Sequence, residues 1–408
     1  MRRPFCDAIA ANRAKFSRQE WRAAAIAAGA HALHDSYTDL IYILLPPWQA
    51  EFGLSYAALG LLRSVFVGAM ASLQIPAGLL SERLGAGAVL ALGTCLAGLG
   101  YCLAGESSGF AMLLGALLLG GVGASAQHPV ASALVARAFA GPRSLKALGT
   151  YNFCGDLGKM TLPAMLSLML LAMQWRPALA ILGGIGVAMA AIIALFTPRF
   201  DRDASTAVDH TDITRTQPRH SLSFVLLLAI GILDSATRMG FLLFLPFVLK
   251  DKGATLQDVG LAMTLIFAGG AAGKLACAFI GARLGAITTV WMTEAATAAG
   301  ILGLLPLPLP AALVLLPVIG IALNGTSSVL YGSVPDLVTA DWRPRALSIF
   351  YTGTIGSGAL APIVFGRAGD ALGIPQAVVL VAVVALLTLP LAALLRPALA
   401  HRYGPGAA

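Results

Sequence analysis

Long apolar runs alternate with short polar breaks along the whole chain. Twelve of the runs reach the roughly 20 residues that a membrane helix needs. They cover residues 23–48, 55–80, 86–105, 109–138, 146–172, 177–197, 221–249, 256–281, 286–305, 311–335, 345–368 and 375–395. Pro46, Pro76, Pro163, Pro246 and Pro362 lie inside them. Membrane helices tolerate such prolines because neighbouring groups re-satisfy the freed backbone. The pattern predicts an all-α membrane protein of twelve transmembrane helices.

The breaks alternate in charge. One set holds 19 Lys and Arg and the other holds four, Arg176, Lys250, Lys252 and Arg367. Basic loops stay on the cytoplasmic side, so the split places both termini in the cytoplasm of a cell (inner) membrane protein. The one long polar stretch, 198–220, divides the runs six and six. The expected organisation is a cytoplasmic segment 1–22, a bundle 23–197, a linker 198–220, a bundle 221–395 and a tail 396–408. The first run is too long for a signal-peptide core and no small-residue cleavage site ends it, so a retained anchor is expected.

Composition narrows the function. Of 408 residues, 58% are hydrophobic and only 11% charged. Soluble domains carry about 25% charge, which excludes a soluble multidomain enzyme. The net charge of +8 reads as membrane orientation, not as a nucleic-acid surface. Five cysteines with no CxxC pair give neither a disulfide framework nor a zinc site. No GxxxxGK[ST] loop occurs, so no ATP module and no cofactor are expected, and energy has to come from a gradient. No cytosol-facing cluster of catalytic residues stands out, so the chain reads as a non-enzyme.

An internal repeat supports two parallel halves. Pro46, Gly53, Ser55 and Gly60 recur as Pro246, Gly253, Thr255 and Gly260, and Arg83-Leu84-Gly85 recurs as Arg283-Leu284-Gly285. Six helices per copy start both copies on the same side, the plan of parallel transporter repeats.

Nine ionisable residues fall well inside the runs, away from their terminal residues: Asp35, Asp39, Arg63, Asp156, Lys159, Asp234, Arg238, Lys274 and Glu294. Facing lipid, each costs roughly 2.5–3.5 kcal/mol at a helix centre, so they are expected around a wet cavity. His31, Asp35, Asp39 and Tyr42 form one stripe on the first span. The two aspartates, one turn apart, need a cation from another helix or a shared proton. Asp156 and Lys159 at i, i+3, and Asp234 and Arg238 at i, i+4, are spaced to pair within their own helices. Lys274 has no acid near it on its own helix, and Asp156, Asp234 or a substrate are its candidate partners. Arg63 and Glu294 lie nearer span ends, where snorkelling accounts for them. His128 is equally suited to proton relay or to a backbone hydrogen bond. His31, His34 and Asp35 hold metal-ligating atoms, but their spacing alone does not predict a metal, and none is expected.

The loop Gly78-(x)3-Glu82-Arg83-x-Gly85 resembles the GxxxDxxGR-type motif of the major facilitator superfamily, with Glu82 for the usual Asp. His31-(x)3-Asp35-(x)10-Pro46, Gly123-x-Ser125-(x)2-His128-Pro129 and the run with Asn152, Gly155, Gly158 and Pro163 resemble the fosmidomycin-resistance exporters. The resemblance implies the major facilitator fold, with spans 1, 4, 7 and 10 lining a cavity, and proton-driven export by alternating access. The expected function is a proton-coupled secondary transporter of a small organic molecule, anionic or zwitterionic. Asp35, Asp39 and Asp156 are the proton-carrier candidates. His31, Tyr42, His128, Asn152, Lys159, Asp234, Arg238 and Lys274 are the substrate-binding candidates, and Gly78, Glu82, Arg83 and Gly85 the gating loop. A symporter importing a metabolite, or a non-transporting sensor or scaffold, are the alternatives. The expected partners are the small-molecule substrate, protons and the lipid bilayer, with no nucleic acid and a monomeric state.

Overall fold

A computed structural model describes residues 17–139, 142–198, 222–339 and 342–400. Among the described residues every regular element is helical. In chain order these are α1 (Arg18–Phe52), α2 (Tyr56–Ser72), α3 (Gln74–Leu84), α4 (Ala86–Gly105), α5 (Phe110–Ala124), α6 (Ser132–Ala138) and α7 (Pro142–Ala172). There follow α8 (Trp175–Phe196), α9 (Leu222–Asp251), α10 (Leu256–Leu284), α11 (Ala286–Leu304), α12 (Leu309–Ser333), α13 (Arg343–Leu372) and α14 (Ile374–Ala400). The expected linker 198–220, apart from its first residue, and most of the 1–22 segment and 396–408 tail lie outside the described residues.

Nine helical stretches among the described residues are long and apolar enough to cross a membrane, or ten with α2 and α3 taken as one. α1 and α7 fall outside that count. They are the helices that hold Asp35, Asp39, Asp156 and Lys159. The outside of the bundle is apolar: Ile75, Leu195 and Val314 are about three-quarters exposed. The inside holds Arg63 and Glu294, 2% and 1% exposed. Soluble proteins arrange these classes the other way round.

Local sequence explains the helix boundaries. Ser17 and Glu20 close a capping box at the start of α1, and Thr255 and Asp258 close another at the start of α10, each satisfying orphan N–H groups. Gly53 and Gly253, both at positive φ, end the preceding turns, and Gly85 and Gly285 do the same 32 residues later. Side chains with a Cβ resist these backbone angles. Pro76 has no N–H and its ring crowds the carbonyl four residues back; the chain accordingly breaks at Leu73, with α2 and α3 bent by 46°. Pro129 acts differently. It sits in a π-helical turn, Gln127–Ala131, between α5 and α6, and the Ser132 hydroxyl donates to the His128 carbonyl at 2.5 Å.

Two features of the packing position the site. The first is the close approach of α1 to α7. A Cβ on Gly158 would lie 2.0 Å from the Ala32 carbonyl oxygen, and one on Gly155 would lie 2.6 Å from an Asp35 carboxylate oxygen. The Ser36 hydroxyl donates to the Gly158 carbonyl at 2.7 Å, stitching the two helices together. The second is a pair of seams between residues of the expected bundles. At one, Gly60 of α2 lies against the Pro362 carbonyl of α13 and Gly366 against the Tyr56 carbonyl. Asp370 of α13 accepts from the Tyr56 and Ala57 N–H groups at 2.7 and 2.9 Å, capping α2 from the other side of the seam. At the other, Thr264 of α10 donates to the Met160 carbonyl of α7 at 3.2 Å, and Gly260 lies against Ser167.

A charged cluster secures the end of α1. Arg176 donates to the Glu51 carboxylate at 2.6 Å, as does the Trp175 indole at 2.6 Å, and Arg176 also holds the Gly105 and Ser107 carbonyls. Burial pushes the Glu51 carboxyl up, but the hydrogen bonds from Arg176 and Trp175 outweigh it and hold the group below its ordinary range.

Candidate functional site

The ionic residues of α1, α2, α7, α9 and α10 converge in the interior. Asp35 and Asp39 project one turn apart from α1, and other helices supply the cations. Lys159 of α7 lies 3.4 Å from Asp35 and 4.0 Å from Asp39, and Arg63 of α2 lies 3.7 Å from Asp39. Lys159 therefore turns away from Asp156, the acid expected to neutralise it. Asp156 instead meets Lys274 of α10 at 2.6 Å. The i, i+3 spacing permitted the local pair, but a salt bridge across helices brings in a lysine with no acid near it on its own helix. Asp234 and Arg238 do pair within α9, at 3.6 Å.

A second cluster adjoins Asp35. His31 Nε2 lies 3.4 Å and His34 Nε2 3.9 Å from one Asp35 oxygen. His128, from the π-helical turn, packs edge-on against both imidazoles, with ring centroids 5.3 and 4.8 Å away. His31 Nδ1 points to the Tyr151 carbonyl oxygen at 2.9 Å, and the Tyr151 ring stacks on His31 at 4.1 Å. Ligand atoms of His31, Asp35 and His128 lie within 4.8 Å of one another, so these three residues are where a metal would be held. The Lys159 ammonium beside Asp35 already supplies positive charge there.

These groups border a cavity of about 540 Å³, within the range of small-molecule sites. Asp35, His128, Asn152, Lys159, Asp234, Arg238 and Lys274 all reach it, as do His34 and Arg63. A chamber of about 110 Å³ alongside is lined by Asp39, Asp156 and the same lysines. The lining also includes the aromatic and apolar side chains Tyr331, Phe350, Tyr351 and Met239. The cavity occupies the N-terminal half of α13, around Phe350 to Gly358, whereas the seam with α2 uses its C-terminal half, from Pro362 to Asp370. α7 divides the same way, Asn152 and Lys159 on the cavity and Met160 and Ser167 at the seam.

Other expected site residues lie elsewhere. Tyr42 is fully buried, donates to the Met239 sulfur at 3.2 Å and carries Arg63 over its ring at 5.1 Å. His31 sits behind His34 and Asp35, off the cavity lining. Gly78, Glu82 and Arg83 fall in the last turns of α3, with Glu82 and Arg83 exposed and Gly85 ending the helix; none reaches the cavity. Arg63 and Glu294 correct the sequence reading in the opposite direction. Neither snorkels. Arg63 joins the Asp39 pair, and Glu294 of α11 is buried beside Asp234 and Thr326. Their distance from a run's end measured chain position and not depth in the bundle.

A family model for the Major Facilitator Superfamily matches residues 27–233 and 227–406. The chain belongs to this superfamily. Membership makes it a multi-pass membrane protein of a transporter family and not of an enzyme family. Among superfamily members, the multidrug resistance protein MdtL of Salmonella paratyphi A is 26% identical over 238 residues, 57% of this chain and 60% of that protein. The chain thus matches about three-fifths of the length of these curated relatives. A probable L-galactonate transporter of Escherichia coli K12 is 28% identical over 142 residues, 35% of this chain and 31% of that protein. In fold, the chain is similar to a bacterial homologue of the human lysosomal transporter Spinster in an inward-facing, occupied conformation. The TM-score is 0.78 at 16% identity, with 96% of this chain and 100% of that chain covered. A mutant of the nucleoside transporter NupG gives 0.72 at 16% identity, with 93% of this chain and 100% of that chain covered.

Proposed function

We propose that this member of the superfamily is a proton-coupled exporter of a small organic molecule that joins an ionic group to an apolar or aromatic body. The observation that carries the reading is the cavity, lined by Asp35, Lys159, Asp234, Arg238 and Lys274 together with the aromatic Tyr331, Phe350 and Tyr351. Ionisable groups are costly at membrane depth and mark substrate or ion pathways, which supports this reading. The twelve spans form two parallel six-helix bundles, joined by the 198–220 segment. The matched positive-φ glycines and the paired caps at Ser55 and Thr255 support that repeat. Both termini face the cytoplasm, as the basic residues require. The cavity then opens inward while the α2–α13 and α7–α10 seams close the far side, in keeping with the inward-facing relative.

The working groups are the acids whose cations can be exchanged. Asp156 and Lys274 bridge the two bundles. A proton on Asp156 releases Lys274, which then holds an anionic substrate group. Asp35 and Asp39 share Lys159, so a proton on either redistributes it. Tyr331 and Tyr351 face the apolar part of the substrate. Export rests on likeness to the multidrug relative and to the fosmidomycin-resistance group. The likeness to a galactonate transporter favours a second reading, import of a sugar acid with protons.

Everted vesicles with an interior-acid gradient test both. Fosmidomycin, ethidium and galactonate serve as probes. Accumulation of a probe, lost on collapsing the gradient and in Lys274→Ala, supports export. A probe that exchanges across the membrane yet ignores the gradient overturns proton coupling. Gradient-driven movement in the reverse direction favours import.

A further inference from the structure

We infer that His31, Asp35 and His128 form a binding site for one divalent transition-metal ion of the zinc type. The inference goes beyond the proton-coupled reading and does not depend on it. Three of the chain's six histidines, His31, His34 and His128, gather around Asp35. His31, Asp35 and His128 each bring one ligand atom within 4.8 Å of the other two. The surroundings of His31 fit an ion between them. Its Nδ1 lies 2.9 Å from the Tyr151 carbonyl oxygen, which has no hydrogen to give, so Nδ1 carries the N–H of the neutral ring and Nε2 presents a lone pair. Metal-ligating histidines are oriented in this way, one nitrogen donating to a carbonyl and the other left for the ion. Nε2 in turn faces an Asp35 carboxylate oxygen at 3.4 Å. Two ligands of a tetrahedral zinc ion, each at about 2.0–2.1 Å, stand about 3.3–3.4 Å apart. This pair therefore already has the spacing of one edge of such a site.

The two oxygens of Asp35 have different partners. One faces His31 and the other faces Lys159 at 3.4 Å, so ion and ammonium do not contend for the same atom. A ligating carboxylate is commonly held through its second oxygen in this manner. His128 is the third ligand. It comes from the π-helical turn Gln127–Ala131, a kind of bulge that recurs at functional sites, and binding draws it inward. Two imidazoles and one carboxylate are a set that zinc takes when a coordination position stays open, and imidazole favours zinc, nickel or copper over magnesium or calcium. Asp35 and His128 line the cavity while His31 lies behind them, so the open position is on the cavity side. Lys159 and Arg63 already balance Asp35 and Asp39; an anionic ligand from the cavity would offset the charge the ion adds. A bound ion keeps Asp35 ionised and leaves Asp39 and Asp156 to carry protons.

The test uses metal ions alone. Untagged full-length protein in detergent is stripped with a chelator and equilibrated with Zn²⁺ in an excess of Mg²⁺, and the bound metal is counted by mass spectrometry. The expected result is one zinc per chain, lost in His31→Gln and in His128→Gln. It should be kept in the combined variant His210→Gln, His220→Gln and His401→Gln, three positions outside the described residues. Co²⁺ in place of zinc is expected to give the intense visible bands of a four-coordinate ion in the wild type and in neither single variant. Zn²⁺ should also raise the melting temperature of the wild type, since it binds the folded form. A histidine variant that no longer unfolds cooperatively is replaced by Asp35→Asn, nearly the same shape, in which zinc affinity should fall by about tenfold or more. Zinc retained in both histidine variants and at full affinity in Asp35→Asn, or lost only in the combined variant, marks an adventitious ion only and overturns the inference. Wild-type protein that takes up no zinc overturns it as well. None of these readings involves transport, so the site stands or falls apart from proton coupling.

Discussion

Asp39→Asn removes the carboxylate nearest the Arg63 guanidinium, which is 2% exposed and already leaves two of its nitrogens without hydrogen-bond partners. Removing one partner of a buried pair costs about 3–5 kcal/mol. Thermal unfolding in detergent is expected to show that loss, and Asp39→Asn with Arg63→Met to recover much of it. Glu51 gives a pH-dependent case outside the membrane core. Its carboxyl is held below the ordinary value of 4.5 by Arg176 and Trp175 against the pull of burial. A depressed folded-state value stabilises the protein above the unfolded value, and that contribution fades as pH falls through the folded one. The melting-temperature gap between wild type and Glu51→Gln should therefore be full near neutrality and shrink below about pH 4.5. An unchanging gap would mean the cluster acts by packing alone. The members of the ionic network were legible from sequence because a charge inside an apolar run is conspicuous. Their partners were not. Lys159 answers to Asp35 and Asp39, and Asp156 to Lys274, and only the packing of three helices settles that exchange.

At the scale of the helix, small residues govern spacing. A methyl group on Gly158 would sit 2.0 Å from the Ala32 carbonyl oxygen, so α1 and α7 must part to admit it. Overpacking costs about 1–3 kcal/mol, and here the obstruction is backbone, which cannot rotate aside. Gly158→Ala is expected to lower the melting temperature and to weaken gradient-driven probe transport together. Gly149→Ala on the same helix, where a Cβ meets nothing within 4 Å, should change neither. Two glycines of an apolar run, Gly269 and Gly273, meet the Pro317 and Ile321 carbonyls of α12. Gly356 meets nothing, because a glycine in an apolar run says nothing about which face its neighbour will take. The bend after Leu73 was legible only as a tolerated Pro76. Sequence has no measure of whether a membrane proline deforms its helix or is absorbed, as Pro46 and Pro47 are within the unbroken α1.

For the whole molecule the asymmetry between its two ends matters most. Gly60 lies so near the Pro362 carbonyl that a Cβ would come within 2.2 Å of its oxygen. Gly60→Leu is expected to wedge α2 from α13. A single cysteine at Ser235, on the cavity wall, should then react faster with a membrane-impermeant maleimide added from the far side. Equal rates in wild type and variant would remove this seam as the barrier. The Asp370 carboxylate adds a different consequence. The first turn of α2 is completed by a residue that belongs to α13, whereas α10 completes its own with Thr255 and Asp258. On the proposed cycle, an outward swing takes Asp370 away from the Tyr56 and Ala57 amides, which then turn to solvent while Ser55 still caps Ala58. Hydrogen exchange at Tyr56 and Ala57 would then keep time with the transport cycle.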